Sequence, residues 1–308
     1  MPEPVLVAPP DPSAIAAARR LDQSVLAATA HEALPSAVWR DLEHPTADSA
    51  LVFDGPPETS ATVVHVAPSD TFAPQHWQLA LAAEPTASHR RLAASLERAI
   101  GFVADHGGTS ATLWIPGADD ATDRLLVPLG FALVHEQFQM RVALPLQEQP
   151  RWPDGVTVRG FGEPGDEQAW LAVNNRSFAN HPDQGGWVEE TMRRRMAEPW
   201  FDPAGLLLAF DSAGLAGSCW TKVHPATGVE PMLGEIFVIG VDPDRQGTGL
   251  GRALVVGGLD HLAASRGCTV GILYVDAANA AALTLYESLG FTVHRTDRAY
   301  ERAVPSRS

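Results

Sequence analysis

The residues Val241-Asp242-Pro243-Asp244-Arg245-Gln246-Gly247-Thr248-Gly249-Leu250-Gly251-Arg252 leave an apolar run and enter a helical one through a turn rich in glycine. Glycine tolerates positive φ and leaves the backbone uncovered. Successive N–H groups of such a turn can therefore converge on an anion at the N-terminus of the next helix, where the helix dipole also favours negative charge. Arg245 and Arg252 would add charge-assisted contacts to a pyrophosphate. Spacing alone does not separate this reading from a helix cap over a tight turn. It is not the loop of a nucleotide hydrolase, because no Gly-Lys-Ser/Thr follows. It is also a poor dinucleotide fingerprint, because its strand comes late in the domain and its glycines are spaced differently.

That turn needs a strand before it and a helix after it, and the hydrophobic pattern supplies both. Residues 234–241 read as a strand and residues 249–265 as a helix, with Leu250, Leu254, Val255, Leu259 and Leu262 at helical spacing. A strand over 270–275 and a helix over 279–288 follow, with Gly290 as a left-handed stop. The same order recurs upstream at one constant offset. Leu129-Gly130-Phe131 matches Leu289-Gly290-Phe291, Leu113-Trp114 matches Leu273-Tyr274, and His106-Gly107-Gly108-Thr109 aligns loosely with Arg266-Gly267-Cys268-Thr269. Pro85 matches Pro243 after a short gap. Each half is thus an α/β unit. Between them, residues 144–155 hold Pro145, Pro150 and Pro153 among polar residues, which fits a stiff exposed connector. Two domains are expected, an N-terminal one over 1–150 and a C-terminal one over 151–308. The proline-rich first residues, up to about residue 14, and Pro305 to the end are expected to fray.

A chain of 308 residues is about twice the usual domain size, and 45% hydrophobic against 19% charged residues marks it as globular despite 25 prolines and 26 glycines. Lys plus Arg total 22 against 37 Asp plus Glu, a net charge of −15 that repels phosphate backbones and anionic lipid. Neither nucleic acid nor membrane is an expected partner, although a local anion site made of backbone N–H groups needs no basic side chain. Cys219 and Cys268 cannot form a disulfide framework or a four-cysteine zinc site, and both read as inert core. His181 and His224 have no further ligand at metal spacing, so turn roles and no metal are expected. No leader pattern follows Met1, no apolar run reaches the roughly 18 residues of a membrane span, and two fused copies can mimic a dimer, so a cytoplasmic monomer is expected.

Gln246-Gly247-Thr248-Gly249-Leu250-Gly251 resembles the Gln/Arg-x-x-Gly-x-Gly/Ala loop of the GCN5-related N-acetyltransferase (GNAT) family. The resemblance implies two tandem GNAT domains, each a mixed twisted sheet flanked by helices, and acetyl-CoA as co-substrate. The pyrophosphate would lie on Gln246, Gly247, Thr248, Gly249, Leu250, Gly251 and Arg252, and the pantetheine would bond the backbone of Ile239, Gly240 and Val241. Asn279-Ala280-Ala281-Ala282 resembles the family's later Asn-x-x-Ala segment, which implies Asn279 on the pantetheine arm and room at Ala280, Ala281 and Ala282 for the thiol end.

Four more segments narrow the match: His181-Pro182-Asp183-Gln184-Gly185-Gly186-Trp187, Trp200-Phe201-Asp202-Pro203, Trp220-Thr221-Lys222-Val223-His224-Pro225 and Gly234-Glu235. They are similar to the tandem GNAT branch that acetylates the cysteine amine of cysteinyl-glucosaminyl-inositol to give mycothiol. The similarity covers most of residues 156–302, whereas the N-terminal half is similar only in length, repeat architecture and scattered positions.

An ammonium is no nucleophile, so a base must first take its proton, and a donor should protect the departing thiolate. Glu235 interrupts an otherwise apolar strand, an expensive place for a carboxylate, and is the implied base, against a bland reading as an edge residue facing solvent. Tyr286 lies about two helical turns after Asn279 and is the implied acid, since a phenol of pKa ~10 stays protonated at neutral pH. Its bland reading is half-buried packing. The resemblance also points to Asp183, Lys222 and Tyr274, with Glu235, around the acceptor. The plain alternatives are a turn former for Asp183 and a snorkelling strand residue for Lys222.

The N-terminal copy serves as an internal control. Trp77 is read at the place of Glu235, Pro85-Thr86-Ala87-Ser88-His89-Arg90-Arg91-Leu92-Ala93-Ala94 has no glycine, Asp119 or Asp120 replaces Asn279, and Leu126 replaces Tyr286. That half is expected to be non-catalytic. The family implies a second acetyl-CoA near residues 81–83 and 89–94, and an acidic N-terminal contact to the acceptor whose place Ser36 holds, with Glu32 nearby. Two other readings stay open: acetylation of another amine, such as an aminoglycoside, polyamine or peptide, and a non-catalytic acyl-CoA-binding regulatory module. The latter would not need Glu235 and Tyr286 beside an intact loop.

Overall fold

The two units of the fold are divided inside strands rather than at the proline-rich connector. The structure, a computed structural model, describes residues 3–29, 33–69, 75–179, 186–228 and 230–305. In chain order the elements begin with β1 (Val5–Val7), α1 (Pro12–Thr29), α2 (Ser36–Glu43), β2 (Ala50–Phe53), β3 (Thr62–Pro68), β4 (His76–Ala83), α3 (His89–Asp105), β5 (Ser110–Ile115), α4 (Asp120–Leu126) and β6 (Ala132–Ala143). They continue with β7 (Thr157–Gly160), α5 (Asp166–Ser177), α6 (Glu189–Met196), β8 (Leu206–Asp211), β9 (Gly214–His224), β10 (Leu233–Val241), α7 (Leu250–Ala264), β11 (Val270–Asp276), α8 (Ala280–Ser288) and β12 (Thr292–Ala303). One unit comprises Met1–Phe138 with Arg295–Ser308, and the other Gln139–His294. This differs from the expected cut near residue 150. The last strand runs antiparallel to β5, from Arg298 opposite Ile115 to Ala303 opposite Ser110, and so joins the unit formed by the first half.

The first unit orders its strands β1-β2-β3-β4-β5-β12, antiparallel throughout except for the parallel β4–β5 pair. Parallel neighbours need a crossover, and α3 supplies it. Alternation along β3 sends Val64 and Val66 to the α3 face, where Leu92, Leu96 and Val103 pack, and Val63 to the opposite face with Ala18, Leu21 and Val38 of α1 and α2. The expected fraying at the start is corrected. Val5, Leu6 and Val7 pair with Phe53, Val52 and Leu51, and α1 begins at Pro12, because this apolar triplet completes a sheet edge.

The second unit orders its strands β6-β11-β10-β9-β8-β7, with β10–β11 parallel and α7 as the crossover. Glycines let α7 sit close to the sheet: a Cβ on Gly258 would meet Cys219 Sγ at 2.6 Å, and one on Gly234 would meet Leu262 at 3.0 Å. Burial pushes the Cys219 thiol up to about 12, so this cysteine is inert core as expected. On the other face, Trp170, Trp187 and Met192 pack against Leu206, Leu208, Trp220 and Val238. The Trp170 and Trp220 rings meet edge-on at 5.4 Å, a large apolar burial that fixes α5 and α6 over β8, β9 and β10.

Asp166 anchors the start of α5. It is buried, takes Arg159 through both oxygens at 2.7 and 2.8 Å, and accepts the N–H groups of Gly162 and Glu163 at 2.9 and 2.8 Å. The Arg159 bond, with the two backbone donors, holds its carboxyl well below the ordinary 3.8, at about 2. A depressed folded-state pKa gives stability that is present above the ordinary value and is lost as pH falls through the lower one. Asp166→Asn is therefore expected to cost roughly 2 kcal/mol at neutral pH by thermal or denaturant unfolding, with the gap to wild type closing between about pH 4 and pH 2. A gap that persists unchanged to pH 2 would contradict this role.

Candidate active site

A bulge and a turn shape the strand that leads into the glycine loop. Against β9, the register of β10 shifts between Ile236 and Val238, so Phe237 is an extra residue that bends the strand. Against β11, the ladder runs only from Leu233 opposite Val270 to Ile236 opposite Leu273. Beyond Ile236 the β11-facing edge of β10, including Ile239, Gly240 and Val241, carries no ladder among the described residues. Asp242 then caps a short turn by accepting the Asp244 N–H at 2.9 Å.

Gly247 and Gly249 both take positive φ, +77° and +86°, and Gly249 is the N-cap of α7. A Cβ on either would meet no atom within 4 Å, so glycine is required there by conformation and the backbone faces open space. The first N–H groups of α7 have no intrahelical acceptor. Together these features fit an anion such as a diphosphate, with a linear arm continuing along the edge of β10 that carries no β11 ladder, where the Val241 carbonyl accepts the Ser177 hydroxyl at 3.0 Å. Both arginines of the loop have carboxylate partners. Arg245 is bound by Asp211, while Arg252 bonds both oxygens of Glu148, at 2.6 and 2.9 Å, and donates to Ser288 Oγ at 2.7 Å. The main chain of Gln246, Thr248, Leu250 and Gly251 borders the open turn together with the two glycines.

Glu235 is buried, at 6% exposure, and stands directly across from Lys222 of β9. Its Oε2 shares a hydrogen bond of 2.5 Å with His224 Nε2. His224 is thus no turn residue: it ends β9 and pairs with the carboxylate. The alternation of β9 puts it on the same side as Lys222, but a single strand does not reveal which partner lies across. The Lys222 ammonium sits over the rings of Trp200 and Phe237, at 5.1 and 5.7 Å. Tyr274 is 37% exposed on β11 and its hydroxyl accepts the Gln139 amide at 2.7 Å.

Tyr286 is buried in α8 against Phe291, with ring centroids 5.8 Å apart, and burial pushes its hydroxyl up to about 12. It stays protonated across the physiological range, and among the described residues it has no hydrogen-bond partner. Asn279 caps α8 by accepting the Ala282 N–H at 3.1 Å, which commits its oxygen and leaves its amide donors. Ala280, Ala281 and Ala282 form the first turn behind it. Asp183 and His181 lie outside the described residues. Just beyond them, Asn175 clamps the Trp187 backbone by accepting its N–H at 2.9 Å and donating to its carbonyl at 2.8 Å.

The first unit keeps the helix cap but not the bulge, the glycine turn or the carboxylate, and its register corrects one expected equivalence. Gln78 pairs with Thr112 as Glu235 pairs with Ile272, so Gln78, not Trp77, is the counterpart of Glu235. Trp77 matches Gly234 and is buried against Phe102, with ring centroids 5.9 Å apart. The β3–β4 register has no shift. Asp119, rather than Asp120, caps α4 as Asn279 caps α8, and Leu126 is fully buried. A pocket of about 180 Å³ lined by Leu81, Ala83, Glu84, His89 and Asp119 lies at the end of β4. Nothing is described of the Ser36 side chain, and Glu32 lies outside the described residues.

Residues 170–291 match the model of the acetyltransferase (GNAT) family. The mycothiol acetyltransferase of Thermobispora bispora is 50% identical over 67% of this chain and 70% of its own length. That of Paenarthrobacter aurescens is 40% identical over 80% of this chain and 76% of its own. This chain belongs to the mycothiol acetyltransferase family of GNAT proteins. Among solved structures, a tandem GNAT protein from the clavulanic acid biosynthesis pathway aligns over 99% of both chains with a TM-score of 0.72 at 15% identity, a likeness of fold alone. The fold is accordingly that of tandem GNAT units, and acetyl-CoA is the acetyl donor of the family.

For a member of this family the loop makes a direct prediction. Gly249→Val forces a β-branched residue into positive φ at the N-cap of α7. We expect the KM for acetyl-CoA to rise by roughly tenfold or more, with a smaller change in the KM for the acceptor, measured by steady-state kinetics. Equal effects on both constants would contradict the assignment of this turn to the donor.

Proposed function

We propose that this chain is the acyltransferase that moves the acetyl group of acetyl-CoA to the cysteine amine of cysteinyl-glucosaminyl-inositol, forming mycothiol and free CoA. The single observation that carries the mechanism is the buried carboxylate of Glu235 on the same strand that ends in the open glycine turn. In this reading the amides of residues 246–252 hold the diphosphate and the free edge at Ile239, Gly240 and Val241 aligns the pantetheine. Asn279 donates to that arm, and Ala280 to Ala282 leave room for the thiol end.

Glu235 accepts a proton from the acceptor ammonium, and the freed lone pair attacks the thioester carbonyl. As the C–S bond breaks, the Tyr286 hydroxyl gives its proton to the sulfur, while the nitrogen sheds its second proton, which restores the phenol, and keeps the acetyl group as a neutral amide. The high proton affinity of the buried phenol suits it to remain a donor until a thiolate forms. Lys222, Tyr274 and Asp183, with Glu235, orient the polar acceptor; the partial exposure of Tyr274 and the ring-held ammonium of Lys222 support that role.

The first unit is non-catalytic in this reading, since the amide of Gln78 cannot take a proton. The relatives do not favour the other-amine and regulatory-module readings. We place the enzyme in the cytoplasm as a monomer without nucleic-acid or membrane partners, in keeping with the net charge of −15. Among the described residues no helix is long and apolar enough to cross a membrane.

Purified protein given acetyl-CoA and the cysteinyl sugar is expected to release CoA thiol, and Glu235→Gln to lower kcat by about 10²- to 10⁴-fold at neutral pH. No thiol release by the unaltered protein would contradict the acceptor, and a fully active glutamine variant would remove Glu235 as base.

A further inference from the structure

A base has two oxygens, and only one of those of Glu235 is committed. Oε2 is tied to His224 Nε2 at 2.5 Å, and among the described residues the carboxylate has no other hydrogen-bond partner. The pair spans a gradient of exposure, with the Glu235 side chain 8% exposed and that of His224 34% exposed. Such a bond costs little entropy to maintain, because both residues sit on paired strands: His224 lies opposite Leu233, one alternation along from Lys222 opposite Glu235.

The other ionisable groups around the carboxylate are engaged elsewhere. On β9 the Lys222 ammonium rests on Trp200 and Phe237. On β11 the Tyr274 hydroxyl is bonded to Gln139. On α5, which packs on β9 and β10, Asp166 is held by Arg159, Arg176 is held by Asp242 and Asp244, and Glu167 pairs with Arg193 of α6. The helix α7 covers the opposite face of the sheet.

We infer that His224 is a positioning residue for the acetyl transfer. By donating its Nε2–H to Oε2, it fixes the carboxylate plane, so that Oε1 is the oxygen presented to the acceptor ammonium. Without that bond the carboxylate is free to rotate about its side-chain torsions, and a displacement of the order of 1 Å at a reacting group can cost about 10²-fold in rate.

This inference rests on Glu235 acting as the base of the proposed reaction, and three proteins separate the two claims: the unaltered chain, His224→Leu and His224→Gln. Leucine removes the donor, whereas glutamine keeps an N–H on a side chain of similar reach. We expect His224→Leu to lower kcat by roughly 10- to 100-fold with both KM values within about twofold. The glutamine variant should recover most of kcat.

Turnover by the unaltered chain with an equally active leucine variant overturns the role of His224 alone. Leucine and glutamine variants equally slow overturn it too, because packing and not donation would then be at stake. Failure of the unaltered chain to acetylate the cysteinyl sugar overturns the functional reading and this inference together.

Discussion

One interrupted ladder governs the catalytic half. Backbone groups in a sheet are expected to be paired, and β10 keeps its bonds to β9 along its length while leaving β11 after Ile236. The extra residue at Phe237 causes the parting, and the glycine turn immediately beyond continues it into a row of outward N–H groups. With a net charge of −15 and both nearby arginines paired with carboxylates, the proposed diphosphate site draws on oriented main-chain dipoles. The same strand carries Glu235, so in the proposed reaction one strand would both receive the donor and set its distance from the base.

The first unit shows what the fold looks like without that interruption. Its elements follow the same order, yet β3 and β4 stay in unbroken register, the following turn has no glycine, and the position matching Glu235 holds the amide of Gln78. The α/β scaffold is therefore compatible with a closed or an open centre. A single inserted residue and a few glycines separate the two, which is why the family is recognised by the loop rather than by the sheet.

Much of this was legible from residue order. The helix read over 249–265 is Leu250–Ala264, the strand over 270–275 is Val270–Asp276, and the helix over 279–288 is Ala280–Ser288, because apolar spacing and the stop at Gly290 are local signals. Gly247 and Gly249 were readable for the same reason, since positive φ leaves few choices. What stayed hidden depends on register and destination. The partner of His224 is decided by how β9 aligns with β10. The exchange of Gln78 for Trp77 needed the strand pairs, since one residue of slip reverses which side chains face the site. The division of the chain needed the knowledge that β12 ends beside β5, and no linker composition carries that.

The most direct measurement is a crystal structure of this protein with acetyl-CoA bound. The account predicts the diphosphate within hydrogen-bond distance of N–H groups between Gly247 and Arg252, the pantetheine amides on the β11-facing edge of Ile239 to Val241, and the thioester on the side of the sheet where the Glu235 carboxylate is held by His224. A diphosphate seated elsewhere, or a thioester out of reach of a Glu235 carboxylate turned to bulk water, would contradict it.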